Sequence, residues 1–372
     1  MNNKTDKINE GLMLFYRQQP SDRGYREDIS LKNLLYLGGV ETGIYGFDME
    51  CLDEANHNPG KFVLRLYPDK NSIRDSKKEY LVMQELKRIG YPVPNVYFWE
   101  SDCSYFNGPF LIMERIDGPT MWNTFESAAA GKKEEILYRF IRLLVRLHNL
   151  DVGALSPVLT GYSRFMPEPS QVDVDIDLND TALLAMTGIN FIENVVLHYN
   201  RKDLLPIIEW LKQQTGTVSF EKPSLIHFDF HPENVLISTD NVPYVIDWGG
   251  WEIFDYRFDL AETLFLIEDY FGRKYSDMCL RFYGQISGWE ISHLEFFQTG
   301  VILIKIVRII ASLVETDVPE MGIRKINVEL SENRIRYLHE AFSRLQVVTR
   351  LELPGLNGIL HDLENKLAVK LL

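Results

Sequence analysis

Hydrophobic patterning changes character three times along the chain. Residues 1–30 are polar and weakly patterned, and are expected to form an N-terminal extension. From Leu31 the texture turns to strands. The run LLYLGG leads into VETGIYGFDMECL, which predicts a strand, a glycine turn and a second strand. After the loop EANHNPG comes KFVLRLYP. Its Phe62, Leu64 and Leu66 alternate with Val63, Arg65 and Tyr67, so the two sets occupy opposite faces of a third strand.

A helix is predicted from about Arg74 to Ile89, ended by Gly90 and Pro92. Val82, Met83, Leu86 and Ile89 form one apolar stripe at helical spacing. Glu79 falls inside that stripe and Glu85 outside it. A carboxylate among core-facing residues needs a partner. NVYFWE and PFLIMERI read as further strands, and IDGPT breaks the pattern. Beyond it the texture is helical, as in EEILYRFIRLLVRLHNL, apart from one strand-rich insert at SLIHFDFHPENVLI and PYVIDWGG. The expected organisation is an extension over 1–30, a sheet lobe with one helix over 31–117 and a larger, mainly helical lobe over 118–372. The join lies near Asp117 and Gly118.

Composition narrows the function classes. Of 372 residues, 45% are hydrophobic and 25% charged, enough for a substantial core. A net charge of −14 argues against a nucleic-acid binder, although a nucleotide remains compatible because bound metal ions supply local positive charge. Cys51, Cys103 and Cys279 are odd in number and widely spaced, which reads as isolated thiols in a reducing compartment. MNNKTDKINEG lacks the apolar stretch of a signal peptide. The run Val301–Val314 contains Lys305 and Arg308 and is short for a bilayer span. A cytoplasmic protein without membrane attachment is the expectation.

The chemistry concentrates in LIHFDFHPENVLIS. His227, Asp229, His231, Glu233 and Asn234 lie between two apolar runs, a polar loop on a rigid base. Further on, YVIDWGG places Asp247 at the end of another apolar strand, before two glycines. Phosphoryl transfer needs a carboxylate for the acceptor hydroxyl and hard oxygen ligands for magnesium. Asp229 suits the first role, and Asn234 with Asp247 the second. Protein kinases use the same arrangement: a catalytic Asp, an Asn five positions on and a later Asp before Gly. A polar turn capped by Asp and Asn is the bland alternative. His231 and Glu233 are weaker candidates, since no third ligand completes a metal set with His227.

These motifs resemble the aminoglycoside phosphotransferase and choline kinase superfamily, small-molecule relatives of protein kinases. HFDFHPEN is similar to the family's HGDLHPGN, IDW stands where protein kinases have DFG, and Asp259 in FDLAE matches the aspartate that buttresses the loop. The resemblance runs from about Leu35 to Leu264. It implies an α+β, bilobal protein-kinase-like fold and transfer of the γ-phosphate of ATP or GTP to a small-molecule hydroxyl. In that reading Asp229 is the base, Asn234 and Asp247 hold magnesium, and His227 is scaffolding. In GGVETG, Gly38, Gly39, Thr42 and Gly43 resemble the loop that covers the phosphates. Arg65 resembles the strand residue that contacts them, with Lys61 on the same strand face as a competitor, and Glu79 becomes its helix partner. MERIDG resembles the hinge, where the Glu114 carbonyl and the Ile116 amide would meet the base.

Phe228 departs from the glycine common in relatives. A protein kinase would carry Arg there and an Ala-Pro-Glu segment after IDWGGW. A catalytically silent nucleotide-binding regulator would be expected to have lost at least one catalytic position. On the acceptor side, Glu168, Asp173, Asp175, Asp177 and Asp180 form an acidic run that suits either a cationic substrate or a solvated loop. Tyr256, Phe258, Phe265, Tyr270 and Phe271 read as core rather than as a cation cage.

Overall fold

The computed structural model describes residues 2–19, 29–39, 42–51, 60–155, 159, 161–165, 181–218, 220, 223–314 and 330–371. The acidic run from Glu168 to Asp180 lies outside them, as do Val40 and Glu41 of the glycine loop. The chain divides into two compact units, residues 1–126 with 232–249, and residues 127–231 with 250–372.

The first unit is built on a five-stranded antiparallel sheet, β1 (Ile29–Gly38), β2 (Gly43–Cys51), β3 (Gly60–Leu66), β4 (Val96–Glu100) and β5 (Phe110–Glu114), in the order β1-β2-β3-β5-β4. Its main departure from the sequence reading is α1 (Asn2–Arg17), where no element was expected. Ile8, Leu12, Phe15 and Tyr16 recur at helical spacing and join Tyr45, Phe47, Phe62, Leu64, Phe110 and Ile112 in one core. The polar residues between them dilute the pattern, so the stripe is visible only once its partner surface is known. Phe15 packs edge-on against Phe98, Tyr105 and Phe110, at 5.1–5.5 Å between centroids.

α2 (Ile73–Arg88) buries Glu79, Val82, Met83 and Leu86 as the stripe predicted. It also buries Glu85, which the stripe excluded; Arg88 one turn on pairs with it at 2.5 Å. The hairpin β7 (Val235–Ile237) and β8 (Pro243–Val245) belongs to this unit because its backbone is hydrogen-bonded there. Ile237 donates to Pro119 O at 2.9 Å, and Val245 donates to Pro92 O at 2.8 Å. Gly118, at φ 154°, crosses so closely that a Cβ would lie 1.8 Å from Ile237 O.

The second unit is mainly helical: α4 (Ala130–His148), α5 (Thr181–His198), α6 (Leu205–Gln214), α7 (Tyr256–Phe271), α8 (Arg273–Ser287), α9 (Leu294–Val314), α10 (Glu332–Thr349) and α11 (Pro354–Leu371). The short α3 (Met121–Ser127) precedes α4 at the boundary between the units. A two-stranded ladder pairs β6 (Ser224–Ile226) with β9 (Glu252–Phe254), the latter too short to show in the pattern. β6 leads into the His227–His231 loop and α7 packs on it, so the loop rests on a rigid floor. Among the described residues, no helix is long and apolar enough to cross a membrane.

Candidate active site

In the first unit, strand alternation puts Arg65 on the β3 face opposite Phe62 and Leu64, towards α2. Its guanidinium sits between two carboxylates. Nε is 3.2 Å from Glu79 Oε2, and Nη2 donates to Asp247 Oδ1 at 2.6 Å. Tyr67 also donates its hydroxyl proton to Glu79. Burial opposes the charge on Arg65, but Asp247 and Glu79 outweigh it and raise the guanidinium well above its ordinary value. Lys61 instead pairs with the half-exposed Asp117. Of the two strand cations weighed from sequence, Arg65 is therefore the one held between α2 and the Asp247 turn.

Asp247 sits at φ 65°, a left-handed conformation that Asp tolerates better than most side chains. The turn is fixed by Trp248, which is buried, donates Nε1–H to Val245 O and packs edge-on against Tyr91. Asp247 keeps 44% of its side chain exposed. Asn234 is buried at the end of a short 3-10 turn, and its carbonyl accepts the Ile246 N–H at 2.9 Å, which ties the two candidate metal ligands into one backbone arrangement.

The glycine loop joins β1 to β2. Gly38 and Gly39 have φ of 119° and 109°, and a Cβ on Gly39 would lie 2.0 Å from Thr42 O. Thr42 is buried and Gly43 opens β2. At the hinge, Arg115 donates its N–H to Lys61 O while Glu114 donates to Asn95 O. In an antiparallel ladder the N–H and C=O of one residue point the same way, so the Glu114 carbonyl faces away from β3. The Glu114 carboxylate accepts both the backbone and side-chain N–H of Asn95. Ile116 follows in the irregular segment after β5.

In the second unit, the His227–Asp229 backbone is pinned from below. Asp259, fully buried on α7, accepts the His227 N–H on Oδ2 and the Phe228 N–H on Oδ1, both at 2.9 Å. His148 stands beside it, Nε2 3.1 Å from Asp259 Oδ2 and Nδ1 2.7 Å from the Tyr283 hydroxyl. Because the carboxylate only accepts, Nε2 carries the proton on that side. Asp229 itself is 45% exposed, with His231 Nε2 3.5 Å from Oδ2. Burial of the surrounding loop works against its charge. The His231 hydrogen bond, with the charges of His231, Lys305 and His227, outweighs this and holds the carboxyl well below the usual carboxylate range. His227 is buried with its ring edge-on to Phe230, the position of a scaffold.

Phe228 is the strained member. Its φ is 65°, in the left-handed region where a β-carbon crowds the backbone. Its ring lies parallel to Phe258 at 5.3 Å and 4°, with the Arg164 guanidinium 5.9 Å away. The ring contacts therefore offset the backbone strain, which explains how a bulky residue occupies a position suited to glycine. Phe228→Gly should accordingly be about 1 kcal/mol more stable than Phe228→Ala, reversing the usual order, because Ala loses the ring and keeps the strain. Chemical denaturation of the two variants checks this.

Sequence reasoning missed His148, Glu262 and Lys305. Glu262 carried a readable signal, since it lies three residues from Asp259 in an apolar helix. His148 lay in a helical stretch without a signal of its own, and Lys305 read only as an interruption of an apolar run.

The family model for phosphotransferase enzymes (APH) matches residues 54–297, more than half of the chain. The chain belongs to the phosphotransferase enzyme family and has its α+β, bilobal protein-kinase-like fold. It is similar over 96% of its length to a crystal structure of a choline/ethanolamine kinase family protein from Mesorhizobium loti, with 99% of that chain covered, a TM-score of 0.54 and 14% identity. A structure from Ralstonia eutropha assigned as an aminoglycoside phosphotransferase gives a TM-score of 0.62 at 15% identity, covering 92% of this chain and 97% of that one. The GDP complex of wild-type aminoglycoside 2'-phosphotransferase-IIIa gives 0.52 at 13%, covering 91% and 98%. Among curated proteins the chain is 25% identical over 215 residues to acyl-CoA dehydrogenase family member 11 of Gallus gallus, spanning 56% of this chain and only a quarter of that protein.

Proposed function

We propose that the protein transfers the γ-phosphate of ATP or GTP to a hydroxyl of a small molecule, with Asp229 orienting and receiving the acceptor's proton. Arg65 contacts the α- and β-phosphates, the Gly38–Gly43 loop covers them, and the Glu114 carbonyl and Ile116 amide read the base. The observation that supports this reading most is the joint pairing of Arg65 with Glu79 and Asp247, the latter 182 positions away in sequence. A guanidinium fixed by two carboxylates is a preorganised cation for phosphate oxygens.

The residues present fit a magnesium requirement. Among the described residues no group of three or more His, Cys, Asp or Glu forms a metal cage. Asn234 and Asp247 instead offer hard oxygens in one backbone arrangement. Such a sparse set suits magnesium, which keeps waters and substrate phosphates as its other ligands. Bound there, the ion would neutralise charge on the phosphates.

Asp247→Ala should weaken magnesium-dependent nucleotide binding by roughly 100-fold while leaving metal-free binding nearly unchanged, since Arg65, still paired with Glu79, and the hinge remain. Calorimetric titration with and without magnesium measures it, and unchanged binding would refute the metal role. The acceptor is identified by an ATP- and GTP-consumption screen across aminoglycosides, macrolides, choline, amino alcohols and sugars. Tight nucleotide binding with no turnover on any acceptor would overturn the proposal.

A further inference from the structure

Glu262 and Lys305 have no part in the mechanism above, yet both are placed beside it. Glu262 lies one turn beyond Asp259 on α7 and is 3% exposed. Its Oε1 is 2.5 Å from Nζ of Lys305, which α9 brings in from an otherwise apolar stretch. Its Oε2 is buried and has no hydrogen-bond partner among the described residues. A buried carboxylate oxygen left unmatched is destabilising, so this arrangement is not explained by packing.

We propose that Glu262 and Lys305 form a positioning pair for Asp229, in which a proton taken up at Glu262 Oε2 changes the net charge of the pair and thereby the field at the catalytic carboxylate. This rests on Asp229 being the residue that receives the acceptor's proton. With Glu262 ionised, the pair is neutral. A solvent proton bound at Oε2 leaves the Lys305 contact at Oε1 intact and makes the pair net positive. That charge lowers the proton affinity of Asp229 further and makes it a poorer base.

The surroundings place the change in an accessible range. Burial pushes Glu262 up to about 7 against the attraction of Lys305, with the charges of Asp229 and Asp259 adding to the rise. His227 and His231 flank Asp229 on the loop, and Arg308 follows Lys305 one turn along α9. From α10, Tyr337 feels the Glu262 charge and is itself held well above its ordinary value, chiefly by burial. α8 turns in Ser276 and Cys279, and burial pushes that thiol up to about 12. Glu262 is therefore placed to change charge near neutrality.

The test uses the full chain with magnesium-ATP and water as acceptor, followed across about pH 5.5 to 9. The wild-type rate should fall roughly five-fold below a midpoint near 7. Glu262→Gln, nearly isosteric and permanently neutral, should run at the acid-level rate throughout and show no step, with an unchanged nucleotide KM. In parallel, NMR of protein carrying 13C-labelled glutamate carboxyls should show one carboxyl titrating near 7 that Glu262→Gln lacks. Because the coupling is reciprocal, that midpoint should drop in Asp229→Asn. A step that persists in Glu262→Gln, or a midpoint indifferent to Asp229→Asn, overturns the proposal. Turnover surviving in Asp229→Asn would instead refute the base assignment while leaving the titration measurable.

Discussion

Replacing Asp229 with alanine should lower turnover by roughly 10²–10⁴-fold while nucleotide affinity changes less than about three-fold. The asymmetry follows from where the side chain sits. Asp229 lies on the second unit's loop, above Asp259, and the residues proposed to hold the nucleotide lie in the first unit. Its carboxylate stays ionised through the physiological range because His231, Lys305 and His227 outweigh the cost of burial. In the proposed reaction its contribution is orientation and proton acceptance, effects realised in the transition state rather than in ground-state binding. Steady-state kinetics and calorimetry on the same protein separate the two. Nucleotide affinity collapsing together with turnover would show that Asp229 is a binding residue.

The parts of this arrangement that the sequence revealed are those set by short-range spacing. His227, Asp229 and Asn234 share one loop, and Glu79 stood out as a charge in an apolar helical stripe. Its partner came from the family resemblance, which put Arg65 at the strand position that contacts the phosphates; alone, Arg65 reads as a surface strand charge. What stayed hidden depends on tertiary surroundings. Helix α1 was invisible because its apolar residues are diluted by polar ones and acquire meaning only against Phe47, Phe62 and Phe110. Glu85 lay off the apolar stripe yet is buried and paired with Arg88. The hairpin Pro232–Gly249 falls late in the chain, but backbone bonds to Pro92 and Pro119 assign it to the first unit. No local pattern encodes such long-range hydrogen bonds. Phe228 could be flagged as an oddity from sequence. Its backbone strain and the Phe258 stack that offsets it required coordinates.

Asp259→Ala should destabilise the protein by about 3–5 kcal/mol, more than any substitution among the exposed site residues. The side chain satisfies two backbone donors, the His227 and Phe228 N–H groups, and meets the His148 ring. Alanine leaves all three without the acceptor that Asp259 supplies from its fully buried position. Asparagine is not a conservative rescue. Its amide presents one acceptor and one donor, so it can match one backbone N–H but sets its own NH2 against the other. Asp259→Asn should therefore recover only part of the loss, as read from denaturant midpoints at constant m-value. The loop also depends on Asp259 for shape. Phe228 holds φ 65° while its N–H is anchored to Asp259 Oδ1, so releasing the anchor lets the backbone relax towards an extended conformation. That relaxation would turn Asp229, the next residue, out of line. Turnover in both variants should thus fall further than the folded fraction accounts for. Activity that simply tracks the folded fraction would mean that Asp259 stabilises the fold without orienting the loop.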